Sequence, residues 1–346
     1  MFGHAWVGVA TADDVAAPTS YRSVLVGGKT PVLLVRDETG VLRGFLNVCR
    51  HRGSPVAEGC GTARALKCPY HAWIYRLDGS LARATGVGEP EEFDPDELGL
   101  KEVSVTTFCR TVFVNLAEDP APFDPGPLDR AIDPYRIDEL EVAAHDRWER
   151  EFNWKVFLEN FSENYHTPFV HPELIVDGWD YPIETEGLIS LAWDRPHSPR
   201  DAGERALADA RPGEAGWEAV ASAGPDESFI AGTYMTLWPN IMVSFLPGFA
   251  ATLRLTPIDA THTVVERDYL WHPDVPSARR EADVAATRLV GAQDLEICEM
   301  VQRSYTGGLS PDGVLSTEHE MGVAHLHRLL REALAAPMPE TIEVRT

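Results

Sequence analysis

Two Cys-and-His pairs stand at Cys49-Arg50-His51 and Cys68-Pro69-Tyr70-His71, with sixteen residues between them. Two thiols and two imidazoles on separate loops make a four-ligand metal site. Zinc accepts such a set. A [2Fe–2S] cluster accepts it too, with both Cys on one iron and both His on the other. Zinc ribbons usually pair Cys-x2-Cys knuckles, whereas this chain has Cys-x-His followed by Cys-x2-His.

A second set lies downstream. Trp154, Phe157, Leu158, Phe161 and Tyr165 recur at three and four, which predicts an amphipathic helix over 153–166. Thr167-Pro168 disturbs it, because a proline disfavours the helical state of the residue before it. His166 and His171 are five apart and would not share a helix face. With Pro168 between them, the chain can turn so that both rings converge. A histidine pair of this spacing, taken alone, is more often ordinary core or surface histidine.

The flanks of both sets carry a family resemblance. Asn47-Val48-Cys49-Arg50-His51-Arg52-Gly53 and Cys68-Pro69-Tyr70-His71-Ala72-Trp73 resemble the Rieske domain of ring-hydroxylating and related non-haem iron oxygenases. High-potential respiratory Rieske proteins carry two further cysteines here; this chain has Ser54 and Tyr70, so the match is to the oxygenase and ferredoxin type. Asn153-Trp154-Lys155, Glu159-Asn160-Phe161 and Glu163-x-Tyr165-His166-x4-His171-Pro172 resemble the mononuclear iron segment of the same family. Such oxygenases use two His and one carboxylate on one face of the metal. Gln293-Asp294-Leu295-Glu296-Ile297-Cys298-Glu299, followed by Gln302-Arg303, resembles the third-ligand helix. Asp294 is the matching residue, with Glu296 and Glu299 as alternatives.

The resemblance implies an α+β chain: an antiparallel β Rieske [2Fe–2S] domain (1–120) and a helix-grip, START-like catalytic domain (121–346), the extreme N-terminus being free to pack on the latter. It implies Cys49, His51, Cys68 and His71 on the cluster, and His166, His171 and Asp294 on Fe(II). Electrons from NAD(P)H arrive through a reductase, with or without a ferredoxin, and O2 is used for monooxygenation. Single-chain members are typically homotrimers, in which one subunit's cluster lies beside its neighbour's iron. Glu163, three residues before His166 and hence one helical turn back, would bridge the two centres, with His71 as the cluster partner.

Glu163, Gln302-Arg303 and Glu318-x4-Val323-x3-His327 are similar to the branch acting on choline, carnitine and betaines. Aromatic faces bind a quaternary ammonium by cation–π attraction. Tyr234 and Trp238 share a strand face; Trp193, Phe245, Tyr269 and Trp271 are further candidates. Hydroxylation beside nitrogen would give a carbinolamine that loses formaldehyde, a net N-demethylation. Two rivals are an oxygenase of aromatic or natural-product substrates and a Rieske electron-transfer protein with a ligand-binding domain.

The elements that must position these residues are legible in outline. Short apolar runs closed by Gly turns predict strands at 21–26, 31–36, 41–48 and 73–77, and two more within 103–116. Five prolines between 120 and 134 mark a linker. A strand from Arg147 enters the second domain. Strands are expected at 233–247, 251–257 and 261–271, and helices at 279–305 and 318–334. Residues 195–230 read as an insertion that caps the active site or is a plain surface loop. His319, His325 and His327 read as structural.

With 346 residues the chain is long enough for two cores. Its formal net charge of −24 argues against nucleic-acid binding. That charge suits solubility, a cationic substrate or a basic redox partner. No apolar run reaches the ~18–20 residues of a membrane helix, and the N-terminus lacks a secretory pattern. Five cysteines, two of them claimed by the cluster, fit a reducing cytoplasm.

Overall fold

The computed structural model describes residues 2–88, 93–126, 132, 135–172, 179–196, 232–246, 248–309 and 313–335. The chain divides into two compact units, one ending at Phe123 and the other beginning at Asp124. No helix among the described residues is long and apolar enough to cross a membrane.

The first unit is built of β-strands, with short 3-10 turns at Ala12–Val15 and Pro95–Leu98. Its strands are β1 (Val7–Thr11), β2 (Ser20–Val26), β3 (Thr30–Arg36), β4 (Leu42–Leu46), β5 (Cys60–Thr62), β6 (Leu66–Lys67), β7 (Ile74–Tyr75), β8 (Leu81–Arg83), β9 (Glu102–Phe108) and β10 (Thr111–Asn115). Seven form an antiparallel sheet in the order β1-β10-β9-β4-β3-β2-β5, and β6-β7-β8 form a small second sheet. The N-terminal strand therefore pairs within this unit, Val7 opposite Val114. Alternation of side chains along β3 sends Leu33 and Val35 to one face and Val32 and Leu34 to the other. Each face has its own core. The Leu33 side gathers Phe45, Leu66, Trp73 and Tyr75 around Cys49 and Cys68; the Leu34 side gathers Val7, Val26, Val112 and Val114.

The second unit opens with β11 (Glu141–Arg150), then α1 (Trp154–Phe161) and α2 (Thr167–Val170). β12 (Trp179–Asp180), β13 (Ile183–Glu186), β14 (Ile189–Pro196), β15 (Gly232–Leu237), β16 (Ile241–Leu246), β17 (Phe249–Pro257) and β18 (Thr263–Trp271) follow. They form one antiparallel sheet in the order β11-β18-β17-β16-β15-β14-β12, with β13 on β14. The 30-residue α3 (Ser277–Thr306) lies along one face, and α4 (Met321–Ala335) closes the described chain. This is the helix-grip arrangement. Its long helix is tied to the sheet by Trp271 Nε1 donating to Asp283 at 2.9 Å and by Arg288 donating to Asp146 at 2.6 and 2.8 Å.

Several boundaries differ from the sequence reading. β11 begins at Glu141, six residues before the expected Arg147, because the weak β formers Ala143 to Asp146 hide its start. The strand expected over 233–247 is a hairpin, broken at Trp238-Pro239-Asn240. The first helix stops at Phe161 instead of running to His166. Ser162 Oγ donates back to the Leu158 carbonyl at 2.7 Å there. The capping insertion expected at 195–230 lies, beyond Pro196, outside the described residues.

Candidate functional site

Each of the two ligand loops of the first unit is closed by the same pair of backbone hydrogen bonds. Cys49 N–H donates to Ser54 O and Gly53 N–H to Cys49 O, at 2.8 and 2.9 Å. Cys68 N–H donates to Trp73 O and Ala72 N–H to Cys68 O, at 2.8 and 3.1 Å. The residue four after each cysteine has positive φ, +74° at Gly53 and +57° at Ala72. The loops thus present two cysteines inward and two histidines outward. Cys49 and Cys68 are buried, and both are free thiols. His51 is exposed and His71 half-buried, with ring centroids 4.4 Å apart. Trp73 stacks on His51 at 4.9 Å and fixes its plane.

Burial pushes the Cys49 thiol up. Burial also acts on Cys68, but the Tyr70 N–H, Cys49 and the His71 N–H together outweigh it and hold that thiol down. Tyr75, fully buried, accepts from Arg50 N–H at 3.0 Å and lies 3.3 Å from Cys49 Sγ. Two inner thiols and two outer imidazoles fit an asymmetric cluster, one iron on the two cysteines and the other on the two histidines.

The second unit brings His166, His171 and Asp294 together, with one ligand atom from each all within 4.8 Å of one another. α2 does this: His166 caps its N-terminus and His171 follows its last residue. The ring centroids are 5.3 Å apart and nearly perpendicular. α3 supplies Asp294, whose Oδ1 is 2.9 Å from His171 Nε2 and 3.4 Å from His166 Nε2. Neither alternative acid joins them. Glu299 faces Arg150 at 3.8 Å, and Glu296 is exposed.

The other ring nitrogens are held from behind. His166 Nδ1–H donates to Glu163 Oε1 at 2.5 Å, and His171 Nδ1–H donates to Gln293 Oε1 at 2.7 Å. The Glu163 carboxylate and the Gln293 amide oxygen both accept, so each bond places the ring proton on Nδ1. Both neutral Nε2 lone pairs then face a carboxylate oxygen, acceptor against acceptor. That arrangement requires a proton or a cation between them. Burial alone would push both imidazoliums down, but Asp294 and Glu163 carry His166 up to about 9, and Asp294 carries His171 up. The two imidazoles hold Asp294 below the usual carboxylate range against its burial. Two imidazoles and one carboxylate with oriented partners behind them fit a ferrous facial site.

Glu163 is not one helical turn behind His166, because α1 has already ended. Its Oε2 accepts from the backbone N–H of Tyr165 and of His166, the latter at 3.1 Å, so it folds back over the loop. Sequence reasoning gives Gln293 no role, although it stands beside Asp294 in the matching stretch.

The four aromatic substrate candidates do not share a pocket. Trp193 and Phe245 both lie directly opposite Thr233, so all three point to one face of the sheet. Tyr234 points to the other, the face that carries α3. Strand alternation separates them. On the far face Tyr135 covers Phe245 at 4.8 Å and bonds the Thr233 hydroxyl. Trp238 sits in the hairpin turn against Trp154, 6.1 Å away. Tyr269 and Trp271 are fully buried, their polar ends bonded to Asp146 and Asp283. Tyr234 alone is half-buried, with Phe161 at 6.5 Å. Its neighbours on that face, Ala192, Ser244 and Leu246, are half-buried as well. Sequence reasoning missed these three, small or isolated residues whose exposure only strand pairing reveals.

His319 stacks on Tyr165 at 5.5 Å, His327 bonds Glu159 at 3.0 Å, and His325 is buried. Among the described residues none of them joins a metal-ligating group.

Family models match both units: a Rieske [2Fe–2S] domain over residues 5–98 and the ring hydroxylating alpha subunit catalytic domain over 137–336. The chain is 30% identical to the glycine betaine monooxygenase oxygenase subunit of Chromohalobacter salexigens, over 93% of this chain and 79% of that protein. It is 28% identical to the carnitine monooxygenase oxygenase subunit of Acinetobacter pittii, over 96% and 89%. A solved quaternary ammonium Rieske monooxygenase, studied for carnitine oxidation by gut microbiota and inter-subunit electron transfer, superposes with a TM-score of 0.77. That likeness is at 25% identity and covers 96% of this chain and 89% of the other. The chain belongs to the ring-hydroxylating alpha-subunit family, the Rieske non-haem iron oxygenases, with a [2Fe–2S] domain followed by a catalytic mononuclear iron domain.

Proposed function

We propose that the chain removes an N-methyl group from a small quaternary ammonium compound, with Cys49, His51, Cys68 and His71 on the cluster and His166, His171 and Asp294 on the ferrous ion. Bound there, the cluster supplies single electrons and the ferrous ion supplies O2 activation. The observation that carries the reading is the pair of imidazole Nε2 atoms 2.9 and 3.4 Å from one Asp294 oxygen, each ring held from behind by Glu163 or Gln293. The relatives acting on glycine betaine and carnitine support the substrate class.

The residues divide the work. Tyr234 and Phe161 offer aromatic faces beside the segment that leads to His166, and a methylated ammonium is held there by cation–π attraction of ~0.5–2 kcal/mol. Gln293 keeps the His171 Nε2 lone pair directed at the metal position. Glu163 orients His166 and, in a homotrimer, accepts a further hydrogen bond from His71 of the neighbouring subunit. The inter-subunit transfer studied in the solved relative supports this arrangement. An NAD(P)H-dependent reductase feeds the cluster. The substrate's N-methyl C–H becomes N–CH2OH at the expense of O2, two electrons and two protons, with release of water. Loss of the hydroxyl proton and cleavage of the N–C bond then give formaldehyde and the demethylated amine.

The test is turnover with a reductase on glycine betaine, choline and carnitine against a panel of aromatic hydrocarbons, with formaldehyde measured. Formaldehyde in step with NADH consumption on one ammonium substrate is expected. Dihydroxylation of an aromatic with no formaldehyde from any amine would favour the aromatic reading.

A further inference from the structure

The buried seam of α3 is Gly291, Leu295, Cys298 and Gln302. Its first member meets a charged side chain from the sheet. A Cβ on Gly291 would lie 2.6 Å from Arg267 Nη1, 2.8 Å from Nη2 and 3.1 Å from Cζ, where ordinary contact is 3.4–4 Å. Arg267 projects from β18, is buried, and donates from Nη1 to the Thr287 carbonyl at 3.0 Å. The Trp148 ring lies 5.6 Å from its guanidinium carbon. Across the sheet its direct partner is Asp146, whose carboxylate is already taken by Arg288 and the Tyr269 hydroxyl. The guanidinium is buried between the helix, the Trp148 ring and Tyr269, so a Cβ on Gly291 requires it or the helix to shift.

Thr287, Gly291 and Asp294 follow one another at four and three residues along one helix face. The contact that seats the helix at Gly291 therefore also fixes the height and rotation of the turn carrying Gln293 and Asp294. Those two residues meet His171 from both sides, Asp294 Oδ1 at 2.9 Å from Nε2 and Gln293 Oε1 at 2.7 Å from Nδ1. Constellations of this kind tolerate displacements of about 0.5 Å. A methyl group at Gly291 would demand more than that from the helix or from the enclosed arginine.

We propose that Arg267 and Gly291 are a positioning pair that sets the register of α3 on the sheet and so places Asp294 and Gln293 against His171. This inference rests on the reading that His166, His171 and Asp294 hold the iron. Neither residue touches that site, and both act through the helix.

Full-length Gly291→Ala, Arg267→Met and the double variant would be purified with the cluster intact and stripped of mononuclear metal with a chelator. Each would then be titrated with Fe(II) and read by EPR of the nitrosyl adduct. Gly291→Ala is expected to weaken Fe(II) binding roughly 10–100-fold and to alter the EPR line shape, with the visible cluster spectrum unchanged. Removing the guanidinium in the double variant is expected to recover most of the affinity. Arg267→Met alone is expected to weaken binding less than Gly291→Ala. If Gly291→Ala does not accumulate, Arg267→Met carries the test by itself. A role confined to stability would lower the melting temperature and leave Fe(II) affinity and line shape as in the wild type, which would overturn the proposal. So would a loss in Gly291→Ala that the double variant does not restore. Asp294→Ala serves as the control: Fe(II) retained there defeats the ligand reading itself, whereas Fe(II) lost there with wild-type binding in Gly291→Ala and Arg267→Met defeats only the positioning pair.

Discussion

Glu163 Oε1 accepts the His166 Nδ1 proton at 2.5 Å, and Glu163 Oε2 accepts the His166 backbone N–H at 3.1 Å. One carboxylate thus grips both ends of one residue. The ring cannot rotate away from the metal position without breaking the first bond, and the loop cannot lift without breaking the second. Oε2 also accepts from the Tyr165 N–H, so Oε1 is the oxygen that keeps lone-pair capacity for a further donor.

Glu163→Gln should keep the cluster and most of the iron, because an amide can still orient the ring. It removes the charge that supports transfer between centres. Stopped-flow oxidation of the pre-reduced cluster, with substrate and O2 present, should slow by roughly 10–100-fold. Wild-type rates in both Glu163→Gln and Glu163→Ala would defeat the bridging role.

The same bond predicts a pH dependence. Without a cation, the folded-state pKa of His166 is raised to about 9. Its charge then contributes stability that is fully present below the unfolded value of about 6.5 and is lost as pH rises through about 9. Metal binding needs the neutral ring, so Fe(II) affinity of the metal-depleted protein should rise with pH across the same window. Calorimetric titration in buffers of different ionisation enthalpy should detect proton release on Fe(II) binding at neutral pH. Glu163→Gln should move the window to lower pH.

Tyr75 lies behind the cluster ligands, its hydroxyl 3.3 Å from Cys49 Sγ. Burial first, then the adjacent thiol, pushes the phenol up, so it stays protonated and can donate. A donor to a cluster sulfur favours the reduced, more negative state. Tyr75→Phe should therefore lower the midpoint potential by tens of millivolts, where ~59 mV is a tenfold change for one electron. An EPR-monitored redox titration reads it, and an unchanged potential would exclude the bond.

Ala72 occupies the left-handed region at φ +57°, where an L side chain costs roughly 1–2 kcal/mol. Gly53 fills the equivalent place in the other loop without that cost. Ala72→Gly should stabilise the first unit by about 1 kcal/mol, seen as a later midpoint in denaturant followed at the cluster absorbance. A destabilised variant would show that the Ala72 methyl contributes more by packing than it costs in strain.

Much of this is legible in the sequence because it is local. The two Cys/His loops are contiguous, and Pro168 marks where the chain turns between His166 and His171. The strands around them carry apolar runs that alternation and Gly turns delimit. What stays hidden depends on pairing between distant segments. Nothing near Tyr234 says that Trp193 and Phe245 fall on the opposite face; that follows from Thr233 standing opposite both. Nothing around Gly291 in the sequence shows that the Arg267 guanidinium packs against it. Glu163 stands out in the sequence, but for a helical geometry that ends too early, since Ser162 turns its hydroxyl back on the Leu158 carbonyl.

The central claim is that His166, His171 and Asp294 together hold a catalytic ferrous ion. The most direct measurement is iron per chain, set beside the visible cluster spectrum, in wild type, His166→Ala, His171→Ala and Asp294→Ala. Each variant should lose about one iron per chain and all formaldehyde-forming turnover while the cluster spectrum stays as in the wild type. Wild-type iron content and turnover in Asp294→Ala would contradict the account and remove Asp294 from the site.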